Sequence, residues 1–127
     1  MGFDEVVLEA NAAFYHAVES LDCEKLDHIL AKDEPVCVVH PGWALVSGRE
    51  AVLESWTRIF DHAGVMQFVI VSADAHVVGD IAWVNCVEHL TSVQGGRVIE
   101  GTVQATNLFR NESGTWRITH HHGSPIR

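Results

Sequence analysis

Basic side chains are scarce in this chain: eight lysines and arginines face seventeen acids over 127 residues, for a formal charge of −9. A surface with that balance repels phosphate backbones and anionic lipid heads, and no Lys/Arg cluster offsets it locally. Nucleic acid and membrane surface are therefore not expected as partners. Long apolar runs are missing too: no window approaches the ~20 apolar residues of a membrane span. The first residues, "MGFDEVVLEANAAFYH", mix acids among the apolar positions, unlike a signal peptide or an anchor. The opening Met-Gly lacks a myristoylation motif, because Val6 stands where Ser or Thr is needed. Cys23, Cys37 and Cys86 are odd in number and widely spaced, which argues against a disulfide framework or a zinc knuckle. They read as reduced thiols in a cytoplasm. No Gly-rich phosphate loop is present, so no cofactor is expected.

What is there fits one domain, residues 1–127, large enough to bury a core without staples. Val6, Ala10, Phe14, Ala17 and Leu21 recur at helical spacing over residues 3–21, with Asp4 and Glu5 in the first turn. Asp22 can cap a second short helix carrying Leu26, Ile29 and Leu30, which must stop before Pro35. "PVCVVHP" is then a short strand. "SGRE" at 47–50 has the form of a capping box with Ser47 at the N-cap, and it opens a third helix that runs to Gly64. Beyond it the period changes to that of strands, punctuated by Gly79-Asp80, Gly95-Gly96 and "NESG" at 111–114, which predicts a meander of four antiparallel strands.

With two-residue first and second turns and a four-residue third turn, facing residues can be assigned, since opposite residues share a face. One face collects Val69, Val71, Ala73, Ala75 and Val77, then Ala82, Val84, Cys86, Glu88 and Leu90, then Val103, Ala105, Asn107 and Phe109, then Trp116, Ile118, His120 and His122. That face is nearly all apolar and is the buried one. The other, with Ile70, Trp83, Val87, Leu108 and His121, is mixed. The final strand is the sensitive element, for one bulge in "RNESGT" would send His121 inward instead.

Three helices ahead of a curved antiparallel sheet, with "VHPGW", "SGREAVLESW" and "WRITHHHGSP" at their places, resemble the SnoaL-like branch of the nuclear transport factor 2-like superfamily. The likeness spans nearly the whole chain. It implies an α+β cone, in which three N-terminal helices pack against a strongly curved antiparallel sheet (a short strand plus the four-stranded meander) around a deep pocket. It also implies a homodimer through the outer face of the sheet, and it places Tyr15 where ketosteroid isomerase-like relatives carry a site tyrosine. The superfamily hosts isomerases, dehydratases, hydrolases and cyclases as well as binding and association modules.

Four polar residues interrupt the inward face: Glu88, Asn107, His120 and His122. A buried carboxyl beside an imidazole suits proton transfer near neutral pH, which makes Glu88, His120 and His122 the candidate catalytic set; the alternative is a structural hydrogen bond at the mouth. His40 alternates with Val36 and Val38 and should face the same pocket. His120 and His122, ~7 Å apart along a strand, could chelate a metal, yet no Cys pair or helical His-x-x-x-His supports one, and no metal is assigned. Trp43 in its Gly-flanked loop is a pocket candidate, and Trp56 either lines the pocket or caps the core. Asn107 either bonds a ligand or ties to another buried polar group. The expected ligand is a small apolar or polyketide-like molecule with one or two polar handles, either transformed by acid/base chemistry without a cofactor or simply bound. The third option is an association module.

Overall fold

The computed structural model describes residues 2–127. Helix α1 (Phe3–Glu19) opens with Asp4 and Glu5 against the positive end of its dipole and buries Val7, Asn11, Phe14, Tyr15, Ala17 and Val18. This stripe is rotated by about one residue from the predicted one, so Val6 and Ala10 pack at its edge. The helix ends at Glu19, because Leu21 turns the chain through a positive φ of 57°. Helix α2 (Cys23–Ile29) is capped by Asp22, whose carboxylate accepts from Glu24 N–H at 2.9 Å, as expected.

Strand β1 (Cys37–Val39) pairs with β2 (Val46–Ser47), a short strand that the sequence pattern does not show. Helix α3 (Arg49–His62) follows. The predicted Ser47 cap does not form. Ser47 is drawn into β2 opposite Cys37, and the N-cap is Gly48, whose φ of 98° turns the chain from strand to helix. Four long strands complete the chain: β3 (Val65–Val78), β4 (Ile81–Gln94), β5 (Arg97–Glu112) and β6 (Thr115–Pro125). The sheet order is β2-β1-β6-β5-β4-β3. The meander is antiparallel as predicted, but β1 runs parallel to β6, so the curled sheet is mixed.

Two bulges decide which residues face α1. In β3 the pairing passes from Ser72–Val87 to Ile70–Glu88, leaving Val71 as the extra residue. From there to the strand's start the faces exchange. Met66, Phe68 and Ile70 turn toward the core, whereas Val69 and Val71, expected inside, are 65% and 56% exposed. β3 is an edge strand, and the Phe68 N–H is taken by the Glu19 carboxylate at the end of α1, at 2.8 Å.

The second bulge is in β6. The last hairpin turns on two residues, Ser113 and Gly114, with φ of 54° and 93°, rather than on four. That difference slides the strand by two residues and leaves Trp116 and Ile118 on the inner face, as predicted. Phe109 pairs with Ile118 but Leu108 with His120, so Thr119 is extra and everything after it changes face. Its hydroxyl donates to Pro35 O at 2.6 Å, and Ala31 N–H donates to Ile118 O at 2.8 Å, where the strand exchanges contact with the α2–β1 connection for pairing with β1. His121 therefore points inward. His120 and His122, expected inside, point outward.

Candidate functional site

Between α1, α3, the β1–β2 loop and the inner face of the curled sheet lies a cavity of about 250 Å³. Its walls are mainly aromatic and aliphatic, among them Phe14, Trp56, Phe68 and Leu90. α1 presents Phe14 and Tyr15, α3 presents Trp56 one turn before Phe60, and the β3 bulge brings Phe68 round to meet the Tyr15 ring at 5.1 Å between centroids. Among the described residues no lysine or arginine lines it. Its polar groups come from Glu88, Ser92 and Gln94 on β4, His121 on β6, His40 after β1, and Tyr15 on α1.

A directed hydrogen-bond chain backs the cavity. Asn107 Oδ1 can only accept, so its 2.5 Å contact makes His121 Nδ1 the protonated ring nitrogen. Both Asn107 amide protons are used, one on Asn11 Oδ1 at 2.8 Å and one on the Tyr15 hydroxyl at 3.1 Å. Tyr15 then donates its own proton to Glu88 Oε2 at 2.5 Å. The Cys86 thiol lies 3.4 Å from the same hydroxyl. Among the described residues no buried side-chain nitrogen or oxygen lacks a partner. His121 Nε2 and Glu88 Oε1 have no protein partner, and both residues line the cavity, so these two atoms open onto it. A second, smaller relay holds His40: its Nε2 meets Ser55 Oγ at 2.8 Å, and Ser55 donates to Val52 O at 2.7 Å. The one serine proton is thereby spent, which makes His40 Nε2 a donor and leaves Nδ1 as acceptor.

Burial sets the charge states. Desolvation pushes the Glu88 carboxyl up to about 7, against the lowering effect of the Tyr15 hydrogen bond. The Tyr15 phenol is driven far above its usual range, by burial first and the neighbouring Glu88 charge second, so it stays a donor. Burial holds His40 down to about 4. For His121 burial is again the first cause, reinforced by the other histidines, and its value is about 3. Both imidazoles are neutral at pH 7. Glu88 is the group poised to exchange a proton there.

Of the residues singled out from the sequence, the fold gathers Glu88, Tyr15, His40, Trp43 and Trp56 around the cavity, and Asn107 directly behind it. Trp56 is 5% exposed, whereas Trp43 is 40% exposed, stacked edge-on against His40 at 4.8 Å. His120 and His122 are not in this site. The Thr119 bulge sets them on the opposite face, their rings 6.2 Å apart, so the expected pairing of Glu88 with His122 does not occur. Asn11 and Ser55 are the participants that sequence reasoning missed, and His121 was placed outward unless a bulge intervened. Asn11 and Tyr15 carried a signal, being two polar groups one helical turn apart on a face otherwise made of Val7, Phe14 and Val18. For His121 the expected alternative, a bulge that turns it inward, is what the structure has, but at Thr119 rather than within "RNESGT".

The profile of the SnoaL-like domain matches residues 7–127. The chain belongs to the SnoaL-like family. The structure of a protein provisionally named a dehydratase of the NTF2-like family, from Streptomyces avermitilis, is 37% identical over 97% of this chain and 95% of that one, with a TM-score of 0.90. A protein from Thiobacillus denitrificans, provisionally named a calcium/calmodulin-dependent protein kinase type II association domain, is 29% identical over 93% of both chains, with a TM-score of 0.81. Among curated proteins, the F-box protein SKIP8 of Arabidopsis thaliana is 25% identical over 93% of this chain. The chain spans about half of that relative's length, 48%. The cone of this SnoaL-like domain is thus the fold that the family resemblance implied. No helix in the described residues is long and apolar enough to cross a membrane.

The raised carboxyl of this SnoaL-like domain has a thermodynamic consequence. Glu88 holds its proton more tightly folded than unfolded, so it favours the folded state at low pH, and that contribution is lost as pH rises from 4.5 through about 7. Glu88→Gln cannot ionise and escapes the loss. In denaturant unfolding the stability of the variant relative to wild type is expected to rise by about 2 kcal/mol between roughly pH 5 and 8. A difference that stays constant with pH would mean that Glu88 titrates normally. The two histidines act oppositely: their depressed values withdraw stability from both proteins as pH falls below 6.5 toward about 4 for His40 and about 3 for His121.

Proposed function

We propose that this SnoaL-like domain is a cofactor-independent acid/base catalyst acting on a small, neutral, largely apolar ring compound, of polyketide-like character, held in the cavity. The observation that carries this reading is Glu88: a carboxyl 3% exposed, with a value raised to about 7, one oxygen held by Tyr15 and the other open to an apolar cavity. A general base works best when its affinity for the proton matches the working pH. Here Glu88 takes a proton from an activated carbon or hydroxyl of the substrate, and the Tyr15 hydrogen bond stabilises the carboxylate until then. The same carboxyl, now protonated, returns the proton to a different atom in an isomerisation, or gives it to a departing hydroxyl in a dehydration. His121 and His40, neutral and weakly basic, orient the substrate and do not carry the proton. The similarity to a provisionally named dehydratase supports the elimination branch. Three free cysteines fit a reducing cytoplasm.

A direct test uses β-tetralone, a two-ring ketone with an acidic benzylic position, and follows deuterium uptake from heavy water by NMR. Wild type should accelerate exchange, and Glu88→Gln should reduce that acceleration at least about 100-fold. In wild type the rate should rise with pH to a plateau above about 7. Tyr15→Phe removes a bond that lowers the Glu88 value, so its profile should move to higher pH. Exchange that is equally fast in Glu88→Gln would overturn Glu88 as the base.

A second surface favours self-association. On the outer face His76 stacks on Trp83 at 5.2 Å, and Leu108 and His120 continue that row across β5 and β6. A partly exposed row of aromatic and aliphatic side chains of this kind fits a homodimer through the sheet, and the similarity to a provisionally named association domain supports it. Sedimentation should give a dimer for wild type and a monomer for Trp83→Asp. A wild-type monomer would contradict this arrangement.

A further inference from the structure

The cavity displays hydrogen-bond acceptors where its walls are most aromatic. His121 Nε2 is unprotonated because Nδ1 is committed to Asn107 Oδ1, and Asn107 cannot turn over without facing its oxygen toward Asn11 Oδ1 and its own donors away from Tyr15. His40 Nδ1 is unprotonated because Nε2 is committed to Ser55, whose single proton goes to Val52 O. The Trp56 ring is near both, 4.5 Å from the His40 ring and 6.0 Å from that of His121. Two neutral acceptors thus lie on residues whose rings both neighbour one indole. No lysine or arginine among the described residues lines the cavity, and the chain carries a formal charge of −9, so an anionic ligand would meet no cation there, only the neutral donors of Ser92 and Gln94 at its β4 wall.

We infer that the specificity handle of this site is a hydroxyl donor on a neutral ring: the ligand lies against Trp56 and gives its O–H to His121 Nε2, with His40 Nδ1 as the second acceptor. Ketones, ethers and carboxylates of the same outline lack the proton that these nitrogens require. This rests on the cavity being the substrate site, as read above, but not on Glu88 chemistry. His121 acts here as a binding residue. Its tautomer is set by Asn107, which is a positioning residue.

Binding by calorimetry separates this from the catalytic reading, using β-naphthol, its methyl ether and β-naphthoate as probes of one shape. β-Naphthol should bind about tenfold tighter than the ether, the worth of one hydrogen bond to a desolvated acceptor. β-Naphthoate should bind more weakly than either. In His121→Phe the preference for the naphthol over the ether should shrink toward equality. Should that variant not fold, nitrogen NMR of the wild-type histidine rings decides: Nδ1 of His121 should be the protonated nitrogen, and the Nε2 resonance should move with β-naphthol and not with the ether. Equal affinity for naphthol and ether, tighter binding of naphthoate, a protonated Nε2, or no binding of either neutral probe at millimolar concentration would each overturn the inference. Failure of exchange at β-tetralone concentrations that calorimetry shows to saturate the site, alongside a clear naphthol preference, would remove the catalytic reading and leave this one standing.

Discussion

One buried amide holds the polar part of this molecule together. Asn107 is fully buried on β5, and its side chain has a fixed supply of bonds: an oxygen that accepts and two protons that donate. His121 of β6 takes the first, and Asn11 and Tyr15 of α1 take the other two. Through Tyr15 the chain reaches Glu88 on β4. Helix and sheet are thereby locked in one relative position, because in an apolar surround each unmade bond would cost about 1–3 kcal/mol. The tautomer of His121, the direction of the Tyr15 hydroxyl and the one-sided solvation of Glu88 all follow from how that amide is oriented.

Burial then divides the ionisable groups by chemistry. The same desolvation that raises a carboxyl lowers an imidazole, so Glu88 comes near neutrality while His40 and His121 move away from it. Of the four titratable groups in contact with the cavity, one therefore titrates near pH 7, two imidazoles stay neutral acceptors, and the Tyr15 phenol stays a donor. A cluster of histidines in a sequence suggests proton transfer, but in this fold the histidines that reach the cavity are too buried to perform it.

Much of the architecture was legible in the pattern of residues. Helix spacing, the Asp22 cap and the glycine turns locate the elements, and the inward placement of Glu88 and Asn107 follows from the alternation in β4 and β5 once two turns are taken as two residues long. The two strands that carry bulges were read wrongly in part, and for the same reason. A bulge adds one residue and reverses the faces beyond it, yet leaves no mark in composition: Val71 and Thr119 are ordinary strand residues, and what sets Thr119 apart is the remote contact of its hydroxyl with Pro35 O. Thus His120 and His122 looked like site residues and His121 did not. The Ser47 cap failed on similar grounds, since pairing with Cys37 outcompeted a local preference.

The acid/base role of this site requires that the Glu88 carboxyl be displaced toward neutrality by its surroundings. An NMR titration of the side-chain carboxyl carbon in the folded wild-type protein reads this without a substrate or a variant. A midpoint near 7 is the value the buried, Tyr15-held carboxyl should show. A midpoint at the ordinary value of 4.5 would mean that water reaches the group freely, and the proposed acid/base role would lose its physical basis.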